Sequence, residues 1–129
     1  EIARTNAKKH NVEGQITFMQ TDLLQGQRVT FDMICANLPY IPTATLHALD
    51  VFGREPTLAL DGGADGLDLI RVLMTDGRAR LAPGGLLLLE IDSSHGAAAL
   101  TLAQETFPHA DVRLIPDLSG RDRLIRIQL

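Results

Sequence analysis

The chain has 129 residues, of which 45% are hydrophobic, and a formal charge of -4 at pH 7. That length suits one domain spanning residues 1–129 with a modest core, and the near-average apolar and charged fractions exclude disordered and fibrous classes. A net negative chain exerts no global pull on nucleic acid, and its longest apolar run, Leu86 to Leu89, is far shorter than the roughly 20 residues of a spanning helix.

No signal peptide is visible either. Cys35 is the only cysteine, so an internal disulfide is impossible, which agrees with a reducing cytoplasm.

The opening EIARTNAKKHNVEG sets Ile2, Ala3 and Ala7 among charges, with Asn11 and Gly14 available as terminators, and reads as the last turns of an amphipathic helix. Gln15 to Gln20 alternates, Ile16 and Phe18 against Thr17 and Met19, and reads as a strand with Asp22 at its end. A polar connection through Gly26 leads to FDMICANLPYIP, Phe31 to Pro42. Here a short apolar run, Met33 to Ala36, suits a strand buried on both faces of a parallel sheet. Ile41 to Gly66 is irregular, with one helical turn expected at Thr45 to Val51. Connections beyond about 12 to 15 residues are uncommon unless functional, so this one reads as a lid or substrate surface.

Asp65 is placed to cap a helix in which Leu67, Ile70, Leu73 and Met74 recur at helical spacing, and Ala82-Pro83-Gly84-Gly85 stops it. Leu86 to Ile91 is an uninterrupted apolar strand fit for the inside of a parallel sheet. Ser93 or Ser94 can cap a helix running to Phe107-Pro108. Two closing strands, Asp111 to Ile115 and Arg123 to Leu129, flank the turn Pro116 to Asp122. The order implies an α/β sheet in three layers with at least one antiparallel strand.

The chemistry is placed at Asn37-Leu38-Pro39-Tyr40. Pro39 has no N–H for a ladder and pushes Leu38 towards extended angles, so the strand stops there with its last carbonyls fixed. A rigid polar turn at a strand's carboxyl end is where open α/β sheets bind ligands.

Taken in order, NLPYIP, REPTLALDGGADGLDLIR, LAPGGLLLLEI and DLSGRDR resemble the HemK-type glutamine methyltransferases, and the likeness extends to TNAKKHNVEGQITFMQTDLL. NLPY alone is weakly specific; followed by EPTLALDGG it is strong. The resemblance implies a three-layer, Rossmann-like methyltransferase sheet of seven strands with the last antiparallel, of which this chain holds roughly the last five. The glycine-rich loop after the family's first strand and the acidic residue after its second have no counterpart here, so the sequence resembles a fragment lacking those two strands. Their removal leaves a gap of about 10 Å between the Gln15 and Phe31 strands, at roughly 4.8 Å per strand. The Gln15 strand is therefore expected to pair directly with Phe31, to pair across a homodimer through unpaired edges, or to be loose.

The family uses S-adenosylmethionine to methylate a glutamine side-chain nitrogen in peptide-chain release factors. An amide nitrogen is a poor nucleophile, so its two hydrogens must be held and its lone pair aimed. The Asn37 side-chain carbonyl and the Leu38 main-chain carbonyl are the two acceptors this implies, with Pro39 fixing the second and the Tyr40 ring facing the planar amide. No general base is required before transfer. Asp22, with the Leu23 backbone, and Asn37 are implied at the cofactor. Where this chain has Leu38 the family usually has proline, which gives back an N–H and some backbone freedom.

Plainer readings stand beside these. Asn37 and Pro39 suit an ordinary turn, Asp22 suits a loop cap, and Cys35 suits a small buried apolar side chain. Gly62, Gly63 and Gly66 suit a structural turn better than a phosphate loop, since Asp61 and Asp65 repel phosphate. His10, His47, His95 and His109 lack metal-ligand spacing. Arg121, Arg123 and Arg126 suit a solvated edge strand. Two alternative functions remain: an inactive methyltransferase-like remnant or interaction module without cofactor binding, and an adenine N6-methyltransferase of nucleic acid, whose motif NLPY also resembles.

Overall fold

In the computed structural model, which describes residues 1–50 and 52–129, the apolar runs assemble into a four-stranded sheet of order β1-β2-β4-β3. The strands are β1 (Phe31–Asn37), β2 (Leu81–Glu90), β3 (Asp111–Pro116) and β4 (Asp122–Gln128). β1 and β2 run parallel, joined through helix α3, whereas β4 is antiparallel to both of its neighbours. The last strand is thus the antiparallel one, as the resemblance implies. Parallel pairing needs a long crossover, and the segment from Leu38 through α3 supplies it.

Helices precede and follow the strands: α1 (Ile2–Lys9), the short α2 (Thr43–Leu46), α3 (Asp68–Arg80) and α4 (Gly96–Thr106). α3 and α4 pack against the sheet and against each other, so they share one face. The register explains which residues they cover. Ile34, Leu87 and Ile127 form one cross-strand row, and Leu89 and Ile125 the next, all pointing to that face. Ile70, Leu73 and Met74 of α3 and Ala99 and Ala103 of α4 close the core over them. Burying each Leu or Ile side chain here stabilises the fold by about 1.5–3 kcal/mol before the entropy of ordering is set against it.

The opposite face carries the alternate row Cys35, Leu88 and Arg126. It is only partly covered, and a second helical layer over it is not present among the described residues. This corrects two expectations. β1 is not buried on both faces, since Met33 is 54% exposed and Ile34 is the one buried residue of the strand. Cys35 is exposed, not a buried apolar side chain.

Other boundaries differ for identifiable reasons. Gln15–Gln20 is not a strand: a 3₁₀ turn covers Glu13–Gln15, and the alternating residues beyond it join no ladder. Among the described residues β1 pairs with β2 and not with the Gln15 segment, so the direct pairing foreseen is not found. Without a ladder to satisfy its backbone, alternation alone does not make a strand. Arg123 and Arg126 lie on β4, an interior strand and not an edge, where Arg126 donates to the Asp111 carboxylate at 2.9 Å.

Asp65 acts two positions early: its carboxylate accepts the Leu67 N–H in a side-chain turn before α3, whose own cap, Leu67, has no side-chain bond. Asp92, not Ser93 or Ser94, caps the turn leading into α4 by accepting the Ser94 N–H at 2.9 Å. The helical turn foreseen at Thr45–Val51 is found at Thr43–Leu46, and Val51 itself lies outside the described residues.

Candidate acceptor site at the end of β1

β1 ends at Asn37, level with Glu90 at the end of β2, so the turn Leu38–Tyr40 leaves the sheet at the carboxyl ends of its two parallel strands. Open α/β sheets bind ligands in this crevice. Asn37, Leu38, Pro39 and Tyr40 together with Ile41, Glu55, Ala59 and Leu60 line a recess of about 260 Å³. Asn37 is exposed at its rim. Among the described residues no hydrogen bond engages the Asn37 side chain or the Leu38 carbonyl. Both oxygens are therefore uncommitted, next to an open cleft. The Leu38 side chain packs on the core cluster, which anchors the turn at the position where the resembled family usually has proline.

The flank EPTLALDGG holds this turn in place. Ile41 donates its N–H to the Leu60 carbonyl at 3.0 Å, and its own carbonyl accepts from Gly62 at 2.9 Å. Thr43 donates its N–H to the Gly63 carbonyl at 2.9 Å and its hydroxyl to the Asp61 carboxylate at 2.7 Å. The Thr43 hydroxyl and the Gly63 N–H hold the Asp61 carboxyl below the usual carboxylate range, so it stays an acceptor at neutral pH.

The glycines are required by approach distance. A Cβ on Gly62 would stand 2.7 Å from the Tyr40 Cα, and one on Gly66 2.3 Å from the Tyr40 carbonyl oxygen. Gly63, at φ +88°, would drive a Cβ into the Asp68 carboxylate. Asp61 and Asp68 thus occupy the ground a phosphate would need. The three glycines are a structural turn folded under Tyr40.

The other candidates lie apart. Asp22 lines a broader, open recess with Gln20, Thr21 and Leu58, separate from the one at Asn37. Its carboxylate accepts from the Gln25 side chain at 2.8 Å and its carbonyl from the Gln25 N–H at 3.0 Å, which is also what a loop cap does. Leu23 sits in the left-handed region at φ 48°.

The sequence reading did not single out Glu55, Ala59 and Leu60 as the far wall. The signal was there, in that they belong to the motif following the turn. It also missed Asp92 and His95, which are distant in sequence but line a recess together with Tyr40.

A mixed sheet with two parallel strands, a polar turn with free acceptors at their carboxyl ends and an antiparallel closing strand defines an α/β unit. It is similar in sequence to release factor glutamine methyltransferases. The chain is 44% identical over 124 residues to a release factor glutamine methyltransferase of Moorella thermoacetica, covering 95% of this chain and 44% of that protein. Proteins of the same name from Deinococcus radiodurans (39% over 126 residues, 97% and 44%) and Cereibacter sphaeroides (38% over 130 residues, 99% and 46%) are similar in the same way. No family model matches the chain. The resemblance to HemK-type glutamine methyltransferases therefore holds along almost the whole chain, which spans less than half the length of the curated relatives it matches.

Proposed function

We propose that this chain is the acceptor-binding part of an S-adenosylmethionine-dependent methyltransferase that acts in the cytoplasm on a glutamine side-chain amide of a protein, a peptide-chain release factor. On this reading its strands are the later part of a larger three-layer, Rossmann-like sheet. The observation that carries the proposal is the pair of uncommitted oxygens, on Asn37 and Leu38, at the carboxyl end of β1, in a chain similar throughout to release factor glutamine methyltransferases.

The chain's own residues bind and orient. The Asn37 side-chain oxygen and the Leu38 carbonyl each accept one N–H of the incoming amide, turning its lone pair outward from the turn. The Tyr40 ring covers the planar face of the amide, and Glu55, Ala59 and Leu60 close the opposite side. Asp22 and the Leu23 N–H fit the adenine end of the cofactor, which supplies an activated methyl group when bound. Orientation of this kind contributes roughly 7–11 kcal/mol in favourable cases, and it needs no general base before transfer. The unpaired edge of β1, the terminal strand of the sheet, supports either completion of the sheet by further strands or homodimer formation.

The test is a fusion of this chain to the portion of the Moorella relative that it does not match. Asn37→Ala in the fusion should abolish methyl transfer to a glutamine peptide while leaving S-adenosylmethionine affinity nearly unchanged by calorimetry. Equal loss of both would overturn the assigned role.

A further inference from the structure

A second recess lies on the other side of the Tyr40–Ile41 turn. It holds about 290 Å³ and is lined by Tyr40, Ile41, Pro42, Thr45, Leu49, Asp92, Ser94 and His95, so it shares Tyr40 and Ile41 with the acceptor recess. That volume is at the small end of ligand sites, which run about 300–1,000 Å³. A short extended segment fits it; a second folded surface does not.

Its chemistry is mixed. Ile41, Pro42 and Leu49 make apolar walls. Asp92 accepts the Ser94 N–H and hydroxyl through one oxygen, Oδ1, and among the described residues its Oδ2 has no hydrogen-bond partner. The Ser94 hydroxyl and N–H hold the carboxyl below its usual range, so the acceptor is charged at neutral pH.

His95 supplies the opposite character. Its Nδ1 is buried without a partner among the described residues, while its Nε2–Cε1 edge lies over Gly66. A buried unpaired N–H is costlier than an under-satisfied acceptor, which favours the tautomer carrying its proton on Nε2. One wall of the recess thus offers an ionised acceptor and a ring N–H donor. A peptide group presents the complementary pair, an N–H and a carbonyl.

We infer that this recess is a subsite for the main chain of the protein substrate beside its reactive glutamine, with Asp92 accepting a peptide N–H and His95 Nε2 donating to a peptide carbonyl. The inference rests on the proposed acceptor role of Asn37–Tyr40 and extends it. Because the recesses share the Tyr40–Ile41 turn, a glutamine seated in one leaves its own backbone at the mouth of the other.

The experiment is amide-resolved NMR titration of the 129-residue chain with two probes. Propionamide, which has the side-chain amide and no peptide group, can fill only the acceptor recess; a short peptide with a central glutamine flanked by small residues reaches both. Shifts at Asn37, Leu38 and Tyr40 with both probes, and at Thr45, Leu49 and Asp92 to His95 with the peptide alone, are expected.

Asp92→Asn keeps a capping side chain, and His95→Phe replaces the orphaned nitrogen by carbon, so neither variant should cost stability. Each should weaken the peptide roughly three- to tenfold and leave the small amide unaffected. Peptide shifts confined to Asn37–Tyr40, or variants that weaken neither probe, would overturn the subsite and leave the proposed function standing. Absence of shifts at Asn37–Tyr40 with both probes would overturn the two together.

Discussion

Gly66 gives the sharpest test of how the acceptor turn is supported. In Gly66→Ala the new Cβ meets two separate penalties. The backbone is at φ +80°, where a side chain costs about 1–2 kcal/mol. The same Cβ would stand 2.3 Å from the Tyr40 carbonyl oxygen and 2.6 Å from His95 Cε1. The first is main chain and cannot rotate away, so overpacking adds about 1–3 kcal/mol.

Gly120→Ala isolates the first penalty, because Gly120 has φ +79° and nothing within 4 Å of its Cβ position. The entropy lost by the unfolded chain is the same in both variants and cancels in the comparison. Urea unfolding should therefore show Gly66→Ala destabilised by about 2–5 kcal/mol and Gly120→Ala by about 1–2, with the denaturant slope unchanged. Amide shifts at Tyr40 and His95 should move in the first variant only. Equal destabilisation of the two would refute the close approach of Gly66 to Tyr40.

Further expectations follow from the core and the charges. Gly77 lies inside α3, and a Cβ there would sit at ordinary contact distance, 3.6 Å from Leu87 and 3.7 Å from Ile34. Gly77→Ala should therefore raise stability by about 0.5–1 kcal/mol in urea melts, and a loss would mean α3 lies closer to the sheet than described. Leu89→Ala empties a fully buried site near the carboxyl end of β2 and should cost about 2–5 kcal/mol in the same assay; a cost under about 1 would place Leu89 outside the core.

Arg71 hydrogen-bonds the Asp65 carboxylate and, with the Leu67 N–H, holds its pKa down to about 2. That value is below the unfolded one, about 3.9, so the contribution is fully present above about pH 4 and is lost as pH falls through 2. Arg71→Met should return the Asp65 titration, followed by carboxyl NMR, towards its ordinary range and flatten the acid loss of stability in that window. The change in stability is small because the pair is about half exposed. Self-association through the β1 edge should fall in Met33→Lys, measured by sedimentation; an unchanged profile would argue against that edge as the contact.

The sequence reading fared best where one local signal was strong. The apolar run at Leu86, the helical spacing of Ile70, Leu73 and Met74, and the stop imposed by Pro39 each place their element to within a few residues. It fared worst where the outcome depended on neighbours. Gln15–Gln20 alternates like a strand but has no ladder to join, and Cys35 and Met33 look internal but lie on a face that this chain does not cover. Burial of a strand is a property of what packs on it, and the period of its own residues cannot report that. Asp65 and Ser93 illustrate a smaller version of the same limit. Several polar side chains near a helix start can cap it, and chain geometry picked Asp92 over the serines.

The acceptor site divides along the same line. That Asn37–Tyr40 forms a rigid turn follows from Pro39 and a strand ending. Why that turn stays open does not follow from those residues, because a proline fixes backbone angles without keeping other groups away. The distant flank does that. Leu60 to Gly63 take up the hydrogen bonds of Ile41 and Thr43, and Gly62 and Gly66, by lacking side chains, pass directly beneath Tyr40. With the next residues' donors and acceptors satisfied from below, the Leu38 carbonyl and the Asn37 amide have no competing partner among the described residues, and both residues line the recess. The motif EPTLALDGG is therefore informative for a physical reason: it supplies the platform that leaves two oxygens of a separate segment unspent.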